Sequence, residues 1–143
     1  MKIWERVEDK RIRNVTSIGE ELFGFMPGRS TTDPVFTLRQ TMEKHREKQK
    51  GLHMVFIDLE KAYDRVPRQE VWRCMRENEV PENYVKMVQD MYEGARTQVR
   101  SSTGLTELIP VGVGLHQGSS LSPYIFDLIM DSISRGIVNE SPW

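Results

Sequence analysis

Three features are scarce in this sequence of 143 residues, and each shortage excludes a class of protein. Cys74 is the single cysteine, which excludes a disulfide framework and a cysteine-based zinc site and predicts an intracellular protein of the nucleus or cytoplasm. Lysine and arginine total 20 against 21 aspartates and glutamates, whereas a free-standing nucleic-acid-binding protein usually has a basic excess. No apolar run approaches the roughly 18 residues of a membrane span, so no membrane partner is expected, and the oligomeric state is left open.

Apolar residues at helical spacing, punctuated by proline and glycine, predict several helices. The predicted helices cover residues 5–22, about 32–50, two stretches that begin at Pro67 and at Pro81, and residues 121–136. The residues expected to face a core are Val35, Leu38 and Met42 in the second helix, Val71, Trp72 and Met75 after Pro67, and Tyr84, Val88, Met91 and Tyr92 after Pro81.

Two stretches have the composition of strands. Residues 52–59 are almost continuously apolar, which is typical of a strand buried on both faces. Residues 96–113 alternate around a Ser-Thr-Gly turn at 102–104 and predict a hairpin. A polar loop with two glycines follows at 114–120. Helices mixed with a few strands predict an α+β fold.

Asp58 lies within the predicted buried strand, where an isolated carboxylate is costly to desolvate unless a cation compensates its charge. Mg²⁺ is one such cation, since it binds one or two carboxylates together with phosphate oxygens. Alternatively, Asp58 caps the following turn or pairs with Lys61 or Arg65. Asp64 is more simply explained as a helix-start carboxylate or the partner of a nearby arginine. Tyr63 is either a core aromatic or a rigid ring beside a metal site.

Three segments resemble motifs of the reverse transcriptases of non-long-terminal-repeat retrotransposons. Residues 56–67 (FIDLEKAYDRVP) resemble motif A, residues 23–33 (FGFMPGRSTTD) resemble the fingers motif upstream of it, and residues 116–123 (HQGSSLSP) resemble motif B. One such segment would be a weak signal, because short strings of glycine, serine and proline recur by chance. Three segments in the family's order are a strong signal.

The resemblance implies a partial right-hand polymerase with an incomplete palm sheet, in which residues of about 1–51 belong to the fingers and about 52–143 to the palm. The first aspartate of motif A, here Asp58, would bind the two catalytic Mg²⁺ ions of the complete enzyme. The backbone carbonyl of Leu59 would complete the shell of one ion. Tyr63 matches the aromatic residue that excludes a nucleotide with a ribose 2′-hydroxyl.

The resemblance also implies nucleotide-contacting residues in motif B. Gln117 and Gly118 would lie against the incoming nucleotide and the template base, and glycine permits a close backbone approach. Arg29, in the fingers motif, would contact a phosphate or the template strand. Each residue has a simpler interpretation: Gln117 as an ordinary loop amide, Gly118 as a turn residue, and Arg29 as a solvated loop cation.

The implied activity is RNA-directed DNA synthesis, with an RNA template, a DNA primer and deoxynucleoside triphosphates as partners. The family's motif C supplies an Asp-Asp pair as further metal ligands, and the 143 residues contain no such pair and no thumb. The chain alone is therefore expected to bind Mg²⁺ weakly and to be inactive. One alternative is a non-catalytic nucleic-acid-binding or interaction remnant of a transposon. Another is a Mg²⁺-dependent phosphohydrolase or cyclase that uses Asp58 and Asp64.

Overall fold

The computed structural model of the protein describes the backbone of residues 2–139 and the side chains of residues 2–136. The chain divides into two compact units. The described residues of Met1–Ile18 pack with those of Lys61–Trp143, and Gly19–Glu60 forms the second unit. The first unit is therefore assembled from two stretches that are not contiguous in sequence. Within the described residues, no helix combines the length and the apolar character that crossing a lipid bilayer requires.

The helices occur in the predicted order. Their bounds in the described part of the chain are α1 (Lys2–Val15), α2 (Thr32–Glu47), α3 (Ala62–Arg65), α4 (Arg68–Glu77), α5 (Glu82–Tyr92) and α6 (Ser122–Asn139). Both α4 and α5 follow a proline, Pro67 and Pro81, as the sequence predicts. The one-turn helix α3 was not among the predicted elements, because four residues are too few for an apolar period to be visible.

Helix α1 ends at Val15, before the predicted end at residue 22. The hydroxyl of Thr16 donates to the carbonyl oxygen four residues earlier at 2.7 Å and lies 2.6 Å from the hydroxyl of Tyr124 on α6. Ile18 still packs against the core although it lies outside the helix. The apolar spacing therefore predicted the burial of this stretch correctly and its conformation only in part.

The predicted hairpin is present, in a shortened form. Its strands are β1 (Arg96–Thr97), β2 (Arg100–Ser101), β3 (Gly104–Leu105) and β4 (Ile109–Pro110). Strand β1 pairs antiparallel with β4, and β2 pairs antiparallel with β3 so that Ser101 lies opposite Gly104. The predicted turn at 102–104 is thereby confirmed. All four strands are exposed, and β4 ends at Pro110, before the predicted end at residue 113.

The core of the first unit lies among α4, α5 and α6. Met75, Val85, Val88 and Leu128 are fully buried there, and Ile12 of α1 joins them. Burial of each such aliphatic side chain contributes roughly 1.5–3 kcal/mol. The inward faces predicted for α4 and α5 are confirmed.

The strand predicted at 52–59 is wrong, because residues 51–59 form neither helix nor strand. Val55, Phe56 and Ile57 are 85%, 76% and 75% exposed. A strand is stable only when a neighbour accepts its backbone hydrogen bonds, and no strand among the described residues pairs with this segment. The apolar run has the composition of a buried strand, but composition does not show whether a second strand is present to pair with it.

The buried face predicted for α2 is also wrong. Val35 and Met42 are exposed, Leu38 is only half-buried, and no residue of 19–60 is buried. An apolar stripe on a helix is buried only when a second layer covers it, and this unit has no such layer. The helix itself forms as predicted, aided by an ion pair between Arg39 and Glu43 at 3.0 Å.

Candidate functional site

Backbone hydrogen bonds join the segment that resembles motif A to the chain just before the segment that resembles motif B. The amide of Leu115 donates to the carbonyl oxygen of Tyr63 at 2.8 Å, and the amide of Gly114 donates to that of Val66 at 2.9 Å. Tyr63 lies in the one-turn helix α3 and Val66 follows its last residue; α3 begins after Lys61, which is in the left-handed region at φ +52°. The loop at 114–120 is thus fixed to α3 at its start.

Gly114 makes this close approach possible. Its φ is +85°, a conformation that residues with a side chain rarely adopt. A Cβ atom at this position would lie 2.8 Å from the carbonyl oxygen of Asp64 and 3.0 Å from that of Tyr63. Real Cβ contacts are longer, so only glycine fits between the two segments.

Gln117 is the hydrogen-bond partner of Asp64. Its Nε2 donates to Oδ1 of Asp64 at 2.6 Å, across 53 residues of sequence. Asp64 lies in the first turn of α3, which agrees with its interpretation as a helix-start carboxylate, but Gln117 was not predicted as its partner. Gly118 has φ +80°, and nothing lies within 4 Å of the position a Cβ would take. Its backbone is therefore open on that side.

Tyr63 is half-buried and stacks on Phe126 of α6, with ring centroids 4.7 Å apart and an angle of 23° between the planes. Burial raises the pKa of its phenol, and the nearby carboxylate of Asp127 raises it further. The hydroxyl therefore stays protonated at physiological pH. The stacked arrangement holds the ring in one orientation.

His116, at the start of the motif B segment, packs on Tyr92. The rings are 4.1 Å apart at 16°, and the His116 amide donates to the Tyr92 hydroxyl at 3.2 Å. Burial lowers the pKa of His116, the charge of Arg68 lowers it further, and Glu5 opposes both effects. The described residues contain no cluster of three His, Cys, Asp or Glu side chains suited to a metal.

Asp58, Leu59 and Arg29 belong to the second unit. Asp58 and Leu59 are exposed on the irregular segment 51–59, so Asp58 is not in the buried strand environment that the sequence predicted. Nη1 of Arg29 donates to the carbonyl oxygens of Leu22, at 2.7 Å, and of Glu20. The Arg29 guanidinium thus helps to shape its own loop, and its contact with phosphate stays a prediction.

Residues 1–141 match the family described as reverse transcriptase (RNA-dependent DNA polymerase). The chain belongs to this family. The three motif segments quoted above all lie within the matched residues, and the resemblance inferred from them is confirmed.

Similar proteins include several products of retrotransposons. The Pol polyprotein of the type-2 retrotransposable element R2DM of Drosophila melanogaster is 28% identical over 118 residues, which are 82% of this chain and 11% of that protein. A 149 kDa protein of transposon TX1 of Xenopus laevis is 31% identical over 108 residues, 74% of this chain and 8% of that protein. A probable RNA-directed DNA polymerase from transposon BS of Drosophila melanogaster is 26% identical over a stretch that is 89% of this chain and 14% of that protein. The chain spans about a tenth of the length of these relatives.

The reverse transcriptase chain also contains buried acidic residues that sequence reasoning did not assign to the site. Asp127 on α6 is only 4% exposed, and its Oδ2 has no hydrogen-bond partner among the described residues. Burial raises its pKa to about 6, and the charge of Arg13 partly offsets this effect. Asp127 lies beside Tyr124 and Leu128 on the helical period of α6, so its burial could have been inferred from spacing.

The Asp127→Asn variant is expected to be more stable than the parent chain at pH 7.5, by roughly 2 kcal/mol. The folded-state pKa of Asp127, about 6, exceeds its usual value of 3.8, so the folded chain favours the protonated carboxyl group. The stability that this protonated group contributes is complete below pH 3.8 and is lost as the pH rises through about 6. Asparagine removes the charge, so the gain should disappear at pH 4.

Urea unfolding of both chains at pH 4 and pH 7.5 measures this difference. The variant Asp90→Asn, at an exposed carboxylate on α5, serves as the matched control and should change neither value by more than about 0.5 kcal/mol. An equal effect of Asp127→Asn at the two pH values would contradict the prediction.

Proposed function

We propose that this chain is the part of an RNA-directed DNA polymerase that presents motifs A and B, with a fingers portion at about 1–51 and a palm portion at about 52–143. The observation that best supports the proposal lies within the first unit, where Tyr63, Asp64 and Val66 of the motif A segment are bonded to residues 114–117. Two segments so far apart in sequence that meet through backbone and side-chain bonds form one surface. The partners would be an RNA template, a DNA primer and deoxynucleoside triphosphates, in the nucleus or the cytoplasm.

Asp58 and the carbonyl oxygen of Leu59 are the proposed metal-binding groups. Both supply hard oxygen donors, which suit Mg²⁺, and Asp58 is exposed and therefore accessible. When bound, a pair of Mg²⁺ ions supplies activation of the primer 3′-hydroxyl and neutralisation of the leaving pyrophosphate. A single carboxylate holds Mg²⁺ weakly, so an Asp-Asp pair from outside these 143 residues would complete the site.

Tyr63, Gln117 and Gly118 are the proposed nucleotide-contacting groups. The Tyr63 ring is held by its stack on Phe126, and a fixed wall can reject a sugar that has an extra hydroxyl. Gln117 is fixed by its bond to Asp64, which leaves its amide oxygen available to accept a hydrogen bond. The open side of Gly118 offers a flat backbone surface to a base.

Primer extension tests the proposal. The purified 143-residue chain, given a primed RNA template, Mg²⁺ and deoxynucleotides, is expected to add no nucleotides, because Asp58 without the Asp-Asp pair holds Mg²⁺ only weakly. A longer protein that contains these residues followed by an Asp-Asp pair is expected to extend the primer under the same conditions.

Two results would count against the proposal. Extension by the 143-residue chain alone would show that the Asp-Asp pair is not needed. Failure of the longer, folded protein to extend any primer would contradict the polymerase assignment. Salt-dependent binding of the primer–template in the absence of any extension would instead favour the non-catalytic remnant.

A further inference from the structure

Glu5, on the N-terminal helix α1, contacts the loop of the motif B segment. Its Oε2 accepts a hydrogen bond from the backbone amide of Ser120 at 3.0 Å, across 115 residues of sequence. Glu5 is 4% exposed, so this carboxylate is almost completely removed from water. A buried carboxylate is stable only when polar groups compensate its charge, and the Ser120 amide is one such group.

The position of Ser120 explains why this bond affects the loop. Ser120 lies two residues before the start of α6, so its amide is outside the hydrogen-bond ladder of the helix. The carboxylate of Glu5 supplies an acceptor for this amide, and its negative charge lies near the positive end of the α6 dipole. Bonds from an amide to a carboxylate are about twice as strong as neutral ones.

The loop at 114–120 is consequently fixed at both ends. At its start, Leu115 is bonded to Tyr63 and the His116 amide to Tyr92; near its end, Ser120 is bonded to Glu5. Gln117 and Gly118 lie between these fixed points. The conformation at Gln117 therefore depends on a residue at the opposite end of the chain.

The neighbouring acid on the same helix face has a different partner. Glu8, 2% exposed, forms an ion pair with Arg11 of its own helix at 3.1 Å. Within the part of the chain that the structure describes, Glu5 has no ion pair with a cation. The two buried acids of α1 thus have different partners among the described residues: Glu8 pairs with Arg11 through Oε1 while its Oε2 has no hydrogen-bond partner, and Glu5 binds the loop.

We propose that Glu5 is a positioning residue that fixes the conformation of the 114–120 loop through the Ser120 amide. By fixing the loop, Glu5 also sets the placement of Gln117 and Gly118 against a nucleotide. The second half of this inference rests on the proposed function, and the first half does not. No residue of the N-terminal helix was assigned to the site by its sequence.

Hydrogen exchange of single amides in the full 143-residue chain tests the first half. Glu5→Ala is expected to speed exchange of the Ser120 amide by about tenfold or more relative to the amide of Val80, which is bonded to Met75 at 3.0 Å elsewhere in the unit. Glu5→Gln retains an acceptor oxygen without the charge and should lie between the parent and the alanine variant.

Glu8→Gln is the matched control, since it changes a buried acid on the same helix and should leave the ratio of the two exchange rates unchanged. If Glu5→Ala fails to fold, the comparison of Glu5→Gln with Glu8→Gln still decides the outcome. Equal exchange ratios for Ser120 in the parent and Glu5→Gln chains would overturn the inference.

The second half is tested in a longer polymerase that contains this chain. Glu5→Gln is expected to raise KM for the incoming deoxynucleotide several-fold with a smaller change in kcat, because Glu5 acts on nucleotide placement and not on the reacting atoms. An unchanged KM would overturn the positioning role. If the longer protein lacks polymerase activity, the proposed function fails, and the exchange measurement still decides whether Glu5 fixes the loop.

Discussion

Asp58→Ala should reduce primer extension by a longer polymerase containing this chain by a factor on the order of 1,000 or more. The proposed role of this carboxylate is to bind the metal ions that stabilise the charge of the transition state. Such stabilisation is worth several kcal/mol, and each 1.36 kcal/mol corresponds to a factor of ten in rate. The loss should appear in kcat, with the affinity for the primer–template nearly unchanged.

Two companion variants separate the role of the charge from that of the fold. Asp58→Asn keeps the size of the side chain and should be nearly as inactive, because a neutral amide is a poor ligand for Mg²⁺. Asp90→Asn changes an exposed carboxylate of α5 and should retain activity. Single-turnover extension of a primer on an RNA template measures all three. Activity of Asp58→Ala within tenfold of the parent would contradict the metal-binding role.

Gly114→Ala is expected to lower the free energy of unfolding by about 3 kcal/mol. An alanine at φ +85° is strained by roughly 1–2 kcal/mol. Its Cβ would also lie 2.8 Å from the backbone oxygen of Asp64, and backbone atoms can move away only if the bonds from Gly114 and Leu115 are lengthened. For a chain of this size, the loss corresponds to a decrease in Tm of about 10 °C.

Two other glycines provide controls that distinguish strain from steric overlap. Gly118 has a positive φ but open space around it, so Gly118→Ala should cost only the strain, about 1 kcal/mol. Gly112 has neither feature, and Gly112→Ala should stay within about 0.5 kcal/mol of the parent. Thermal unfolding of the three variants gives the ranking directly. Equal effects at Gly114 and Gly118 would contradict the argument from close approach.

Local signals in the sequence predicted most of the first unit. Pro67 and Pro81 mark the starts of α4 and α5, and the apolar period placed Val71, Met75 and Val88 in the core. These signals succeed because a helix forms its backbone bonds within itself, so that its pattern requires only one apolar surface to pack against.

The predictions from sequence were wrong where an element needs a second strand or a second layer to pair or pack with. Residues 52–59 have the composition of a strand, yet a strand needs a second strand, and composition does not reveal whether one is paired with it. The buried face expected on α2 is wrong for the same reason, since no second layer covers it. Both errors fall in the second unit, which has no buried residue.

Within the candidate site, the motifs suggested individual residues, whose roles stay predictions, but not the contacts between those residues. Gln117 and Tyr63 were recognised from motifs, whereas the bonds from Gln117 to Asp64 and from Ser120 to Glu5 join positions 53 and 115 residues apart. No periodicity within one segment encodes such a distant pair. The burial of Asp127 was not predicted either, although its helical spacing was a signal that could have placed it on the packed side of α6.

The separation between Glu5 and Ser120 has a consequence for synthesis on the ribosome. At translation speeds of roughly 5–20 residues per second, 115 residues take about 6 to 23 seconds to be added. Throughout that interval α1 has been made, but the loop that binds its buried carboxylate has not. Until then the Glu5 carboxylate remains hydrated and the apolar side of α1 remains uncovered, so the first unit cannot close before Ser120 has been made.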